Sequence, residues 1–320
     1  MAYPAEIVSA AYKTLAERRE SAARKTEKRR AEIFSALPEA RSIEQELSQT
    51  SAKLARTILS GDDVEKKIQS IRDYNLAGQE KLRALLIQHG YAPDSLEHIP
   101  FCKVCGDTGI APDGSVCGCV HEIERACTLE KLTTGADCAG KDFSTFDLSL
   151  YPNSARETMQ KILNLCRNYA EAFSLSSESL LMIGAPGLGK THLSLSIAFR
   201  VIERGYYAVY TPFHRLISQL EKARFGHSDE EYAAVMRTPL ECELLVLDDL
   251  GSEMSTQFTA AALYEIVNTR LLEGRPTIIS TNLSGNEITE RYGDRIYSRL
   301  FGTYRKLPFV GNDIRLMHRR

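Results

Sequence analysis

Three hundred and twenty residues, 43% of them hydrophobic, are enough for a large core and more than one domain. Forty Lys and Arg against 42 Asp and Glu leave a net charge of −2, which excludes a globally basic surface for nucleic acid. The 26% charged content excludes a wholly disordered chain, and no apolar run approaches the roughly 18 residues of a membrane span. No apolar leader follows Met1, and four of the eight Cys crowd between Cys102 and Cys119 instead of spreading as a disulfide scaffold. A cytoplasmic protein with no membrane association is expected.

Residues 1–98 read as helix throughout, with Pro38 as the first internal breaker and Gly61-Asp62-Asp63 as a second. Ile43, Leu47, Leu54 and Ile58, then Val64, Ile68, Ile71, Leu82, Leu85 and Leu86, recur at helical spacing. This predicts a narrow helical bundle, too thin to be an enzyme by itself. Arg18-Arg19 and Lys28-Arg29-Arg30 offer a basic face to nucleic acid. A solvated face is the simpler reading, because Glu17, Glu20, Glu27 and Glu32 interleave the bases.

Residues 99–138 form a second segment, rich in Gly and cysteine. Cys102-x-x-Cys105 and Cys117-x-Cys119 bring four thiols into eighteen residues, with Asp113-Gly114 suited to a turn between the halves. Four thiolates held tetrahedrally suit Zn²⁺ in a closed structural site. An iron–sulfur cluster can use the same ligands, and His121 or Cys127 can replace one of the second pair. Cys166 and Cys242 lie in apolar runs and read as core fillers.

From residue 139 to 320 strands alternate with helices. Strands are expected at Ser179–Ala185, Tyr207–Thr211, Glu243–Leu250 and Pro276–Thr281, and helices at Lys190–Glu203, His214–Phe225 and Gln257–Leu272. Apolar strands separated by helices predict an α/β fold, a parallel sheet covered on both faces. Gly184, Ala185, Pro186, Gly187, Leu188, Gly189, Lys190 and Thr191 fit G-x-x-x-x-G-K-[ST] between a strand and a helix opened by His192. Such a P-loop turns backbone N–H groups around the phosphates of ATP. Lys190 then pairs with the β- and γ-phosphates, and the Thr191 hydroxyl ligates Mg²⁺. The strand Leu244–Leu247 runs into Asp248, a metal-holding carboxylate, and Asp249, which orients the attacking water from a shorter reach than Glu. Asn282, ending the fourth strand, is placed to touch the γ-phosphate or that water. Arg295 and Arg299 lie four apart on one helical face, as residues offered to a neighbouring subunit do.

These pieces resemble the AAA+ ATPases, and within them the bacterial replicative-helicase loaders of the DnaC/DnaI type, with IstB-like transposition ATPases as relatives. The resemblance runs from about Phe143 to Arg315 and implies an AAA+ core behind a helical, helicase-gripping front and a zinc-binding segment. By it, Arg299 looks like the arginine finger with Arg295 as alternative, Arg315 like a sensor arginine, and Phe146 like an adenine-bordering ring or a core residue. It also implies single-stranded DNA contacts at Lys222, Arg224, Phe225, Thr256 and Phe258, since stacking rings and phosphate-tracking cations need no sequence readout. The implied activity is slow, assembly-stimulated ATP hydrolysis that places or opens a hexameric replicative helicase on single-stranded DNA, with ATP-dependent self-assembly. A transposition helper and an ATP-switched adaptor without turnover are the competing readings. A small-molecule kinase is disfavoured, because no lid insertion is visible.

Overall fold

Proline at position 38 divides the long N-terminal helix: α1 (Ala5–Ala36) stops just before it, and α2 (Pro38–Ser60) starts on it. Pro is well placed at a first helical position, where its missing N–H has no partner to lose. The computed structural model describes residues 3–60, 64–133, 141–226 and 229–315, without the side chains of 51–60, 64–67 and 131–133. The expected break at Gly61-Asp62-Asp63 and the segment boundary at 138 lie outside the described residues. Two compact units divide the chain, Tyr12–Val120 and Met1–Ala11 with His121–Arg320. Among the described residues no helix is long and apolar enough to cross a membrane.

In the first unit α2 packs along α3 (Val64–Gln88). A Cβ on Gly78 would lie 2.7 Å from Leu47 Cδ2, so this glycine sets how closely the two helices approach. Asn75 donates to the Thr50 hydroxyl across the same seam (2.8 Å). Helix does not continue to residue 98. The chain leaves α3 through Gly90 (φ +80°), with Gly90 N–H bonded to Ile87 O and Tyr91 N–H to Leu86 O. That pair of bonds is the glycine-terminated helix end of the Schellman type. The following turn buries Leu96 against Ile33, Leu37, Ala40 and Leu86. Arg29 donates to the carbonyls of Ser95 and Glu97, and Arg30 to that of Leu96 and to Glu44. Two of the bases that offered a nucleic-acid face therefore hold their own unit together.

Helix α4 (Gly118–Thr133) runs on past the division at residue 120, and in the second unit its remainder and α5 (Asn153–Glu171) precede a sheet of five parallel strands. They are β1 (Leu180–Ile183), β2 (Ala208–Pro212), β3 (Leu244–Leu250), β4 (Thr277–Thr281) and β5 (Arg305–Pro308), in the order β2-β3-β4-β1-β5. Helices α6 (Lys190–Glu203), α7 (Phe213–Gly226), α8 (Asp229–Glu241), α9 (Gln257–Leu272), α10 (Gly285–Tyr292) and α11 (Asp294–Thr303) complete the unit. Alternate strand residues feed two cores, as the period of two requires. Leu180, Met182, Val246 and Ile278 pack with α5 and α6, while Leu181, Leu245, Leu247 and Ile279 pack with α7, α9 and α11. The expected parallel sheet covered on both faces is present, and α6 and α9 keep the expected bounds.

Arg270, near the end of α9, is wholly buried, and among the described residues it has no carboxylate partner. Its guanidinium instead donates to the carbonyls of Pro239, Cys242 and Pro276 (2.9, 2.8 and 2.6 Å) and to the Thr277 hydroxyl (2.8 Å). One side chain thus ties the end of α8, the approach to β3 and the start of β4. Arg270→Ala leaves those carbonyls without donors and is expected to cost roughly 3–5 kcal/mol. Urea denaturation measures the loss. Arg270→Lys should not restore stability, because one ammonium cannot span the same fork of acceptors.

Candidate functional site

The C-terminal ends of β1, β3 and β4 converge on a cavity of about 500 Å³. Its floor is the loop Gly184–Thr191, which turns through Gly187 (φ +73°) and Gly189 (φ +84°) into α6. A Cβ on Gly189 would lie 2.7 Å from the Phe146 ring and 2.9 Å from the Tyr151 hydroxyl, so the loop can close down on these rings only with glycine there. Gly189 caps α6 without a side-chain acceptor, which leaves the first helical N–H groups for a ligand. Phe146 stacks on Tyr151 and meets His192 edge-on, with ring centroids 5.7 and 5.3 Å apart. It belongs to the buried core and supports the loop from behind.

Lys190 is only 7% exposed, and its ammonium donates to Gly184 O (2.6 Å), Ala185 O (2.8 Å) and Asn282 Oδ1 (2.5 Å). Burial lowers its pKa to about 8, against the opposing pull of the Asp249 and Asp248 carboxylates. Asp248 is 4% exposed and accepts from Thr191 Oγ1 (2.8 Å), the Tyr210 hydroxyl (2.8 Å) and Ser280 Oγ (2.5 Å). Thr191 and Asp248 thus present two oxygen donors side by side, which suits a hard divalent cation such as Mg²⁺. Asp249 follows at a bulge in β3, in left-handed backbone (φ +57°). Its N–H bonds Ser280 Oγ (2.9 Å), and its carboxylate accepts from Asn282 Nδ2 (3.1 Å). Asn282 therefore bridges Lys190 and Asp249.

Around the rim lie Lys141, His214 and Arg315, the last beside Ile314, whose N–H bonds Gly187 O (3.1 Å). Tyr210, Ser280, His214 and Lys141 belong to this site but carry no motif. Only Ser280, inside the Ser-Thr-Asn strand end, left a trace in the sequence. The two α11 arginines differ in setting. Arg299 sits over the Tyr264 ring (4.6 Å) and donates to Asn268 Oδ1 and Tyr264 Oη, whereas Arg295 is exposed.

At the other end of α7, Phe225 is 77% exposed and its ring lies 5.7 Å from that of Phe258. Phe258 is half-buried and also faces Tyr232 (6.3 Å). Lys222 is exposed, while Arg224 is paired with Asp229 (2.6 Å) over the Tyr232 ring. The Thr256 hydroxyl is the N-cap of α9 and accepts from Thr259 N–H (3.1 Å).

In the other unit the sulfurs of Cys102, Cys105, Cys117 and Cys119 lie within 4.8 Å of one another. Buried Asp107 holds the first turn by accepting from the N–H groups of Phe101 and Cys102 (both 2.8 Å). The Asp113-Gly114 turn returns the chain through an Ile110–Val116 bridge. Burial pushes the Cys105 thiol up, but the Gly109 N–H and the neighbouring sulfurs outweigh it and bring the thiol down to about 7. Four such soft donors without an oxygen ligand fit a closed Zn²⁺ site. His121 is instead engaged with Glu124 (2.8 Å), and Cys127 packs against a core.

A parallel sheet in this order, a glycine-rich loop between β1 and α6, and an acidic β3 end facing it define an α/β P-loop nucleotide-binding domain. Residues 130–320 match the IstB-like ATP binding protein family, and the chain belongs to that family. An ATP-binding protein of insertion sequence IS5376 from Geobacillus stearothermophilus is 30% identical over 156 residues, covering 49% of this chain and 58% of that relative. The replicative helicase loader DnaC of Escherichia coli K12 is 27% identical over 144 residues, covering 45% of this chain and 58% of the loader. A crystal structure of the DnaC helicase loader matches with a TM-score of 0.48 and 24% identity, over 55% of this chain and 100% of that one. The chain spans 58% of the length of the two curated relatives.

The purified protein is expected to carry about one zinc per chain by elemental analysis, since four thiolates complete a tetrahedral shell. Cys105→Ser should lower that content and loosen the knuckle while nucleotide binding persists, because the cysteines and the cavity lie in different units. A colourless, metal-free protein, or one coloured by iron, contradicts the assignment.

Proposed function

We propose that this protein is an ATP-hydrolysing AAA+ factor that places or opens a hexameric replicative helicase on single-stranded DNA. The observation that carries the reading is the linked set Lys190–Asn282–Asp249 beside Thr191–Asp248. Lys190, the loop N–H groups and Arg315 bind the triphosphate, and Thr191 and Asp248 hold Mg²⁺, which supplies charge neutralisation at the phosphates. Asp249 and Asn282 act at the attacking water and the γ-phosphate. The α11 arginines serve a neighbouring subunit. Of the two, Arg295 is exposed and therefore the readier to cross a subunit boundary, while Arg299 is held by Tyr264 and Asn268 and shapes that surface.

Single-stranded DNA is assigned to Phe225 and Phe258 with Lys222, because an exposed ring backed by a second ring is a stacking platform. Arg224 and Thr256 serve that patch through their bonds to Asp229 and Thr259. The helical front and the zinc knuckle, which precede the segment shared with the family, are assigned to grip the helicase. A second reading, a helper ATPase for DNA transposition, is favoured by the IstB-like family match and the insertion-sequence relative. Light scattering of the protein with a hexameric helicase, with and without ATP, tests the choice. An ATP-dependent complex supports the loader, and none alongside ATP-dependent assembly on DNA supports the transposition helper.

Lys190→Ala should abolish or strongly weaken ATP binding, and Asp249→Asn should bind ATP and lose turnover. Stacking contributes on the order of 1–3 kcal/mol per base, so Phe225→Ala should cut ATP-dependent single-strand binding at least several-fold while nucleotide affinity stays near normal. Fluorescence anisotropy with labelled oligonucleotide and labelled ATP measures both. Equal DNA binding by Phe225→Ala and the parent refutes the channel assignment.

A further inference from the structure

Asp249 is a weak arrangement for orienting water. Its side chain is one methylene shorter than Glu, its backbone is left-handed, and its carboxylate already accepts from Asn282. A second acceptor stands across the same cavity. His214, second residue of α7, is exposed and lines the cavity, brought there because Pro212 at the end of β2 pairs in register with Asp248. The Ser252 hydroxyl, just past the end of β3, lies 2.9 Å from Asp249 O and 3.4 Å from His214 Nδ1. With its proton on the nearer carbonyl, the contact to His214 has Nδ1 as donor and the hydroxyl as acceptor. Nε2 then carries a lone pair. Among the described residues no hydrogen bond engages it.

We propose that His214 is a further catalytic residue of the cavity, whose Nε2 accepts a hydrogen bond from the water that attacks the γ-phosphate. The inference rests on the reading of the cavity as an ATP-hydrolysing site. The water oxygen bonds to the γ-phosphorus as the bond from phosphorus to the bridging oxygen breaks. ADP leaves with that electron pair, and the proton shed by the water passes through Nε2 to the product phosphate. Ser252 is a positioning residue, because it fixes the tautomer through Asp249 and not by touching the water.

The test is ATP turnover and nucleotide affinity for the full chain with single-stranded DNA present, comparing the parent, His214→Ala, His214→Gln and Lys190→Ala. A positioned acid–base side chain contributes typically 10²–10⁴-fold, so His214→Ala should lose about 100-fold in turnover with ATP and ADP affinities near those of the parent. Added imidazole should restore part of the rate to His214→Ala and none to Lys190→Ala, a rescue that a merely structural role does not give. His214→Gln, which keeps an acceptor oxygen, should fall between. Turnover of His214→Ala equal to the parent, or lost together with ATP affinity, overturns the proposal while leaving the ATPase reading intact. Absence of turnover in the parent overturns both.

Discussion

A carboxylate almost wholly removed from water must be neutralised by donors, and Asp248 takes its three from three different elements. Thr191 comes from the first turn of α6, Tyr210 from β2 and Ser280 from β4. None of these can reach Asp248 unless β3 lies between β2 and β4 in parallel register, with the loop after β1 folded toward it. The sheet order supplies this placement, since β3 is flanked by β2 and β4 and β4 adjoins β1. Satisfying one buried acid therefore fixes the geometry of the whole phosphate end of the sheet. Lys190 shows the same dependence from the other side. Its ammonium is held by two carbonyls of its own loop and by Asn282, which in turn holds Asp249. When phosphates bring negative charge to the lysine, that chain of bonds is where the change is felt.

Local signals carried the sequence reading where they were strong, and failed where the decisive contacts lie far apart in the chain. The loop motif marks the start of α6 because its glycines and lysine are contiguous, and the run Gln257–Leu272 marks α9. The resemblance places Thr256 only at single-stranded DNA, whereas its hydroxyl caps α9. The end of α3 at Gln88 was also written in the residues, as Gly90 two positions on, but the apolar spacing of Leu82, Leu85 and Leu86 invites extension past it. Helix α8 passes unannounced, because Asp229 opens a polar stretch that even carries Pro239 near its end. Helix α5 is written in the residues, since Ala155, Met159, Ile162, Leu163, Cys166 and Ala170 recur at helical spacing and are all buried. Strand β5 is four residues of Arg-Lys-Leu-Pro, which reads as a loop until β1 pairs with it.

In the site, adjacency again decides what could be read. Gly184–Thr191 and Asp248-Asp249 are contiguous and recognisable, whereas Tyr210 and His214 act only because β2 is brought beside β3. Arg270 is the extreme case. An arginine near a helix end reads as a solvent-facing charge that favours the helix dipole, yet here it heads the described fully buried side chains in size. Its guanidinium serves carbonyls and one hydroxyl contributed by residues six to thirty-one positions away, and no pattern in one segment can announce that.

The net charge of −2 acquires a sharper meaning once the surface bases are followed to their partners. Arg29 and Arg30 are spent inside the helical unit, Arg224 on Asp229, Arg200 on Glu171 and Glu203, and Arg299 on Asn268. Those arginines are committed to protein partners, whereas Lys222 beside Phe225 and Arg295 on α11 are exposed. Under the proposed function, affinity for single-stranded DNA draws on stacking at Phe225, a ring left 77% exposed. On that proposal a single exposed ring would hold one base weakly, and the proposed nucleotide-dependent assembly would add strength by repeating the ring along a strand. Exposed Arg295 and the rim of the phosphate cavity belong to the same unit as Phe225, so one assembly contact would serve both.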